Sequence, residues 1–176
     1  MTIFDLRSIR VRSGEEFRDE VEIELGPLVL AGQRYVSVPE LVPAELVVAQ
    51  AASGTLFQLR FAIRLHGPCY RCLGDAVVEQ TLDLREYQAT RPDGSEELTT
   101  PYLADSRLDL SAWARESLVL ALPDKILCRE DCAGLCPVCG KDLNREPHEH
   151  ADEQGDPRWA PLEALRRGAG TGQTEV

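Results

Sequence analysis

With 30 acidic against 19 basic side chains in 176 residues, the chain carries a formal net charge of −11, the wrong sign for a generic nucleic-acid binder, whose electrostatic footprint is basic. The length suits one domain with a real hydrophobic core. No apolar run approaches the roughly 20 residues that cross a bilayer, and no basic stretch followed by an apolar one opens the sequence, so the expected setting is cytoplasmic, with no membrane partner.

Residues 1–25 mix both charges, and Val21, Ile23 and Leu25 alternate with Glu20, Glu22 and Glu24. That period of two predicts a half-buried strand with an acidic outer face. From Gly26 to Pro43, Gly26-Pro27, Gly32 and Pro39 punctuate the short β-like pieces 28–30 and 35–38, a meander. The clearest pair of strands follows. Residues 46–51 lead through a turn at Ser53-Gly54 into 55–66, where Phe57, Leu59, Phe61, Ile63 and Leu65 take alternate positions. The opposite face carries Arg60, Arg64 and His66, and with Arg71 just beyond it reads as basic, an ordinary solvated strand face when taken alone and a candidate RNA-binding face only with further grounds.

The second strand runs into Cys69-Tyr70-Arg71-Cys72-Leu73-Gly74, and residues 76–87 read as its return, with the cysteine pair at the hairpin tip. Residues 89–106 are polar and broken by turn formers, a surface loop. Asp109 can then cap a helix whose stripe is Leu110, Trp113, Ala114, Ser117, Leu118 and Ala121, ended by Pro123. Trp113 on that stripe is a core residue.

Four more cysteines fall within twelve residues, at Cys128, Cys132, Cys136 and Cys139. Two thiolates three positions apart can grip one tetrahedral ion, and Gly140 lets the chain turn sharply after them. In a reducing compartment this paired spacing favours zinc over disulfides. His148 and His150 follow on a polar stretch and can join the ligand set. Two divisions are open. One is a single Cys₄ site of Cys69, Cys72, Cys136 and Cys139. The other pairs Cys69 and Cys72 with Cys128 and Cys132, and leaves Cys136, Cys139, His148 and His150 as a local set, making two zinc ions. Either is structural, since a site filled by protein ligands keeps no position for reacting water. Asp156-Pro157 opens a last short helix with Leu162 and Leu165 to dock it, and residues 167–176 read as a disordered tail. Residues 1–166 are thus expected to form a single domain that includes a zinc-binding region at 126–150.

Taken in order, Cys69-x-x-Cys72-Leu73, Leu120-Ala121-Leu122-Pro123, the run from Cys128 through Gly140 to Leu143, and Asp156-Pro157-Arg158-Trp159-Ala160-x-Leu162 resemble the YceD family of bacterial large ribosomal RNA subunit accumulation proteins. Phe4-Asp5-Leu6-Arg7 also resembles the family's opening. The resemblance implies a non-enzymatic cytoplasmic factor needed for normal 23S rRNA accumulation and large-subunit biogenesis. Its partners would be 23S rRNA or a pre-50S particle, or a ribosomal protein or processing nuclease reached through an acidic adaptor surface that never touches RNA. Where many relatives carry a further Cys-x-Cys, this chain has His148-x-His150. Some relatives lack much of the later cluster, which makes the metal a staple rather than the working principle. Enzyme signatures are missing from the sequence: no Ser-His-Asp order, no phosphate-cradling glycine loop, no deaminase pairing of His-x-Glu with Pro-Cys-x-x-Cys. No small-molecule substrate is expected. The predicted fold is α+β and β-rich: a twisted antiparallel sheet or partial barrel over 20–90, a packing helix at 109–122, and a zinc-held C-terminal loop region.

Overall fold

A computed structural model describes residues 1–91 and 98–150. The chain divides into two compact units, Met1–Gly134 and Leu135–Val176. The last helix, the tail and the tip of the 89–106 loop predicted from sequence lie outside the described residues.

The first unit is β-rich and antiparallel. Its main sheet contains β2 (Glu16–Glu24), β5 (Leu41–Gln50), β6 (Gly54–Pro68), β7 (Asp75–Ala89), β4 (Gln33–Ser37) and β3 (Leu28–Leu30). β6 is the spine. It pairs with β7 along its whole length, and on its other side with β5 and then β4, while β2 extends the sheet beyond β5. Among the described residues no pairing joins β2 to β7, so the sheet is open.

Alternation in β6 explains this placement. Phe57, Leu59, Phe61, Ile63 and Leu65 are buried, and they meet Ile23 of β2, Val42, Leu46 and Val48 of β5, and Leu82 of β7 in one core. Each fully buried aliphatic or aromatic side chain contributes about 1.5–3 kcal/mol by leaving water. Helix α1 (Leu110–Ala121) covers this core with Leu110, Trp113, Ala114 and Leu118. Its cap is the expected one, since Asp109 accepts a hydrogen bond from the amide of Ala112. Ser111 fastens the helix to the end of β2 by donating to the Glu24 carbonyl at 2.7 Å.

Sequence periodicity missed a second, three-stranded sheet of β1 (Ile3–Asp5), β9 (Arg107–Asp109) and β8 (Leu103–Ala104). Strands of two or three residues are too short to display a period of two. The sheet brings the chain's start against the residues that lead into α1, with Phe4 opposite Leu108.

Candidate metal centres

The register of β6 with β7 runs without interruption from Gly54 opposite Ala89 to Pro68 opposite Asp75, which leaves Cys69 to Gly74 as the hairpin tip. Two backbone bonds shape the tip. The Cys69 amide donates to the Gly74 carbonyl at 2.6 Å, and the Leu73 amide to the Cys69 carbonyl at 3.0 Å. Leu73 takes the left-handed conformation, with φ of 59°. In the second knuckle Gly140 does so, with φ of 73°, and its amide returns to the Cys136 carbonyl at 2.9 Å. The residue after the second cysteine turns the chain in both knuckles, and only the second has the glycine that makes this conformation free of strain.

After α1 the chain returns to the hairpin tip, where the Tyr70 amide donates to the Ile126 carbonyl at 2.8 Å. The Arg71 guanidinium donates to the Cys132 carbonyl at 2.7 Å. These links set Cys128 and Cys132 over Cys69 and Cys72, with all four sulfurs within 4.8 Å of one another. Sγ of Cys69 lies 3.8 Å from that of Cys132, and Sγ of Cys72 lies 3.6 Å from that of Cys128. A tetrahedral ion held at about 2.3 Å by each sulfur requires sulfurs about 3.8 Å apart. The spacing therefore fits a metal, while the 69–132 separation is far beyond a disulfide's roughly 2.05 Å. Cys69 and Cys132 are fully buried.

Electrostatics point the same way. Burial pushes the Cys69 thiol up, but the amides of Cys72, Cys128 and Arg71 aimed at its sulfur outweigh this and hold it at about 6. Desolvation and the neighbouring thiols push Cys128 up to about 12. A packed set of thiols gives up one proton readily and resists losing the next, because like charges accumulate. A dication at the centre removes that resistance.

In the second unit Cys136, Cys139, His148 and His150 form the other group, again with ligand atoms within 4.8 Å. His148 Nε2 lies 3.1 Å from Cys139 Sγ, and its Nδ1 lies 2.7 Å from the Glu146 carbonyl. A proton on Nδ1 donated to that carbonyl leaves the Nε2 lone pair for a metal and fixes the ring, the outer-shell support that metal-bound histidines use. The same carbonyl is the main cause that raises the His148 pKa above its ordinary value. Amides of Cys139 and Val138, working against burial, lower Cys136 to about 6. Of the two divisions the sequence left open, the side chains are grouped as in the two-set one.

The strand face that reads as basic in β6 alone is charge-balanced in the sheet. Arg60 donates to Asp83 of β7 at 3.1 Å and to Glu45 of β5 at 3.3 Å. Arg64 donates to Glu79 of β7 at 2.8 Å. Arg71 is turned to the Cys132 carbonyl, and His66 Nε2 is shielded from solvent without a hydrogen-bond partner among the described residues. A single strand could not reveal this, because the acids come from its two neighbours.

Among known proteins, the family model described as "Large ribosomal RNA subunit accumulation protein YceD" matches residues 57–166. Uncharacterized proteins of Mycobacterium tuberculosis and Mycobacterium bovis are 36% identical to the chain over 127 residues, 69% of this chain and 60% of theirs. One from Mycobacterium leprae is 33% identical over 99 residues, 53% of this chain and 45% of its own. The matched stretch thus spans less than two thirds of these relatives' length. No solved structure matches.

Proposed function

The chain belongs to the YceD family, and on that premise we propose that it supports accumulation of large-subunit ribosomal RNA as a non-enzymatic cytoplasmic factor braced by structural zinc. The carrying observation is the family match over residues 57–166, a stretch that contains every candidate ligand of both groups. Zinc suits the donors: four sulfurs in one group and two sulfurs with two imidazoles in the other, with no position left for substrate or water. Bound there, the ion would supply cross-linking alone. Cys69, Cys72, Cys128 and Cys132 would tie the hairpin tip to the segment after α1. Cys136, Cys139, His148 and His150 would close the loop 135–150.

The test is depletion of the protein in its host, with 23S rRNA measured relative to 16S rRNA. A fall in that ratio, restored by the intact gene, is expected. An unchanged ratio in cells shown to lack the protein refutes the reading.

Between direct RNA contact and an acidic adaptor that docks a basic ribosomal protein or a nuclease, the ion pairs of Arg60 and Arg64 favour the adaptor. A net charge of −11 favours it too. Binding of the purified protein to 23S rRNA fragments across a salt series separates the two. RNA affinity that falls steeply with salt, and falls again in Arg60→Ala with Arg64→Ala, would return the RNA face to first place.

A further inference from the structure

β7 runs for 15 residues, Asp75–Ala89, and its pairing with β6 contains no bulge. Among the described residues no backbone group bonds to its other edge. The strand contains neither proline nor glycine. Proteins blunt an exposed edge by shortness, proline, a bulge or charge; β7 has none of the first three, and its guard is charge alone, with Glu79, Asp83 and Arg85 on the outer face and Glu86 on the inner one.

Its outer-face side chains are self-complementary when two copies lie antiparallel in full overlap, the isologous arrangement of a two-fold dimer, whereas on the inner face Val78 meets Glu86 and Gln80 meets Leu84. In that register Leu82 sits on the axis opposite its own copy. On the sheet's outer face Val77 meets Tyr87, Glu79 meets Arg85, and Thr81 meets Asp83, each pair occurring twice. Val77 is 46% exposed in the single chain, and the ion pair of Arg85 with Asp83 is stretched to 3.9 Å, so both have something to gain across the edge. The opposite edge, β2, fails the same test. Full overlap there sets Glu20 against Glu20 and Glu16 against Glu24, and Thr2 already bonds to the Glu22 carbonyl and the Glu24 amide.

We infer that β7 is a homodimerisation edge, joining two copies into one continuous sheet through reciprocal Glu79–Arg85 pairs. The inference is independent of the role in ribosomal RNA accumulation.

The test is sedimentation equilibrium of zinc-loaded full-length protein and of two surface variants, Arg85→Glu and Glu79→Arg. Each variant alone puts like charges opposite each other twice, and its dimer dissociation constant should rise about tenfold. Mixed together, the two variants are complementary at both positions, so the mixture should dimerise about as tightly as the unaltered chain. Circular dichroism confirms that each variant is folded. A chain that stays monomeric up to about 100 µM, or a dimer that ignores both variants, overturns the inference. So does a mixture no tighter than its components. A monomer that instead captures a lysine-rich extended peptide along β7 overturns it as well, and assigns the edge to a foreign basic strand.

Discussion

Chelation should dissect the molecule into a part that keeps its fold and a part that loses it. Between residues 135 and 150 Cys136 is the one buried residue, and the only strand-like pairing is the single bridge of Leu135 with Asp142. Ordering each of these residues costs about 1–2 kcal/mol, and one small buried side chain cannot offset that. In small zinc modules the apparent binding free energy, about 10–16 kcal/mol, is itself the free energy of folding, so a bound ion would be what holds this loop. The sheet of the first unit is different, because β6 alone buries Phe57, Leu59, Phe61, Ile63 and Leu65 without help from a metal. Hydrogen exchange read by mass spectrometry, with and without a strong chelator, should therefore show protection lost at 135–146 and loosened at 126–134, while amides of β6 and β7 stay protected. Zinc released into a colorimetric reagent should reach two ions per chain. If 135–146 stays protected once the metal is gone, or if β6 and β7 open together with it, zinc does not hold the loop separately from the sheet.

Single-site variants extend the same reasoning. Cys132→Ser and His148→Ala should each lower the zinc content from two ions to one, and the double variant should hold none, by elemental analysis. Gly67→Ala should destabilise the first unit by about 1–3 kcal/mol in urea unfolding, because a β-carbon there would come within 2.7 Å of Tyr35 Cε1 and 2.9 Å of the Arg34 carbonyl, and closer still to Tyr35 Cδ1. Tyr35 is buried and its hydroxyl donates to the Pro68 carbonyl at 2.9 Å, so the ring has little room to move. Burial, then the hydrogen bond to Glu116, raises the Tyr102 phenol from 10.0 to about 12. Since the folded value lies above the unfolded one, this contribution to stability is complete below about pH 10 and is lost as pH rises through about 12. Tyr102→Phe should flatten that alkaline decline in denaturant midpoints measured across the range.

What could be seen in the sequence followed from how local each signal is. The alternation of β6, the cap at Asp109 and the stop at Pro123 are written within one element, and the structure has each in place. Cysteine spacing announced metal groups but could not divide them. That division depends on the Tyr70–Ile126 and Arg71–Cys132 bonds, which join residues more than fifty positions apart. The left-handed Leu73 gave no signal, since Leu is an uncommon choice for that conformation. The partners of Arg60 and Arg64 could not be read for the same reason that the cysteines stayed ambiguous. A face is built from several strands, and Glu45, Glu79 and Asp83 belong to other ones.

The placement of Cys69 and Cys72 on the β6–β7 tip has a consequence for the moment of synthesis. A hairpin of neighbouring strands closes through local contacts, which form fast, and a growing chain is made from its N-terminus onward. The first two thiols are therefore presented on a formed support while residues 128 and 132 are still to be made. If the proposed ion is bound, the nascent protein would hold two of its ligands ready and wait for the other two, and α1 would have to be laid down before the clasp could shut. Starving a cell of zinc should do its damage at birth, to chains still being finished, and spare molecules already closed.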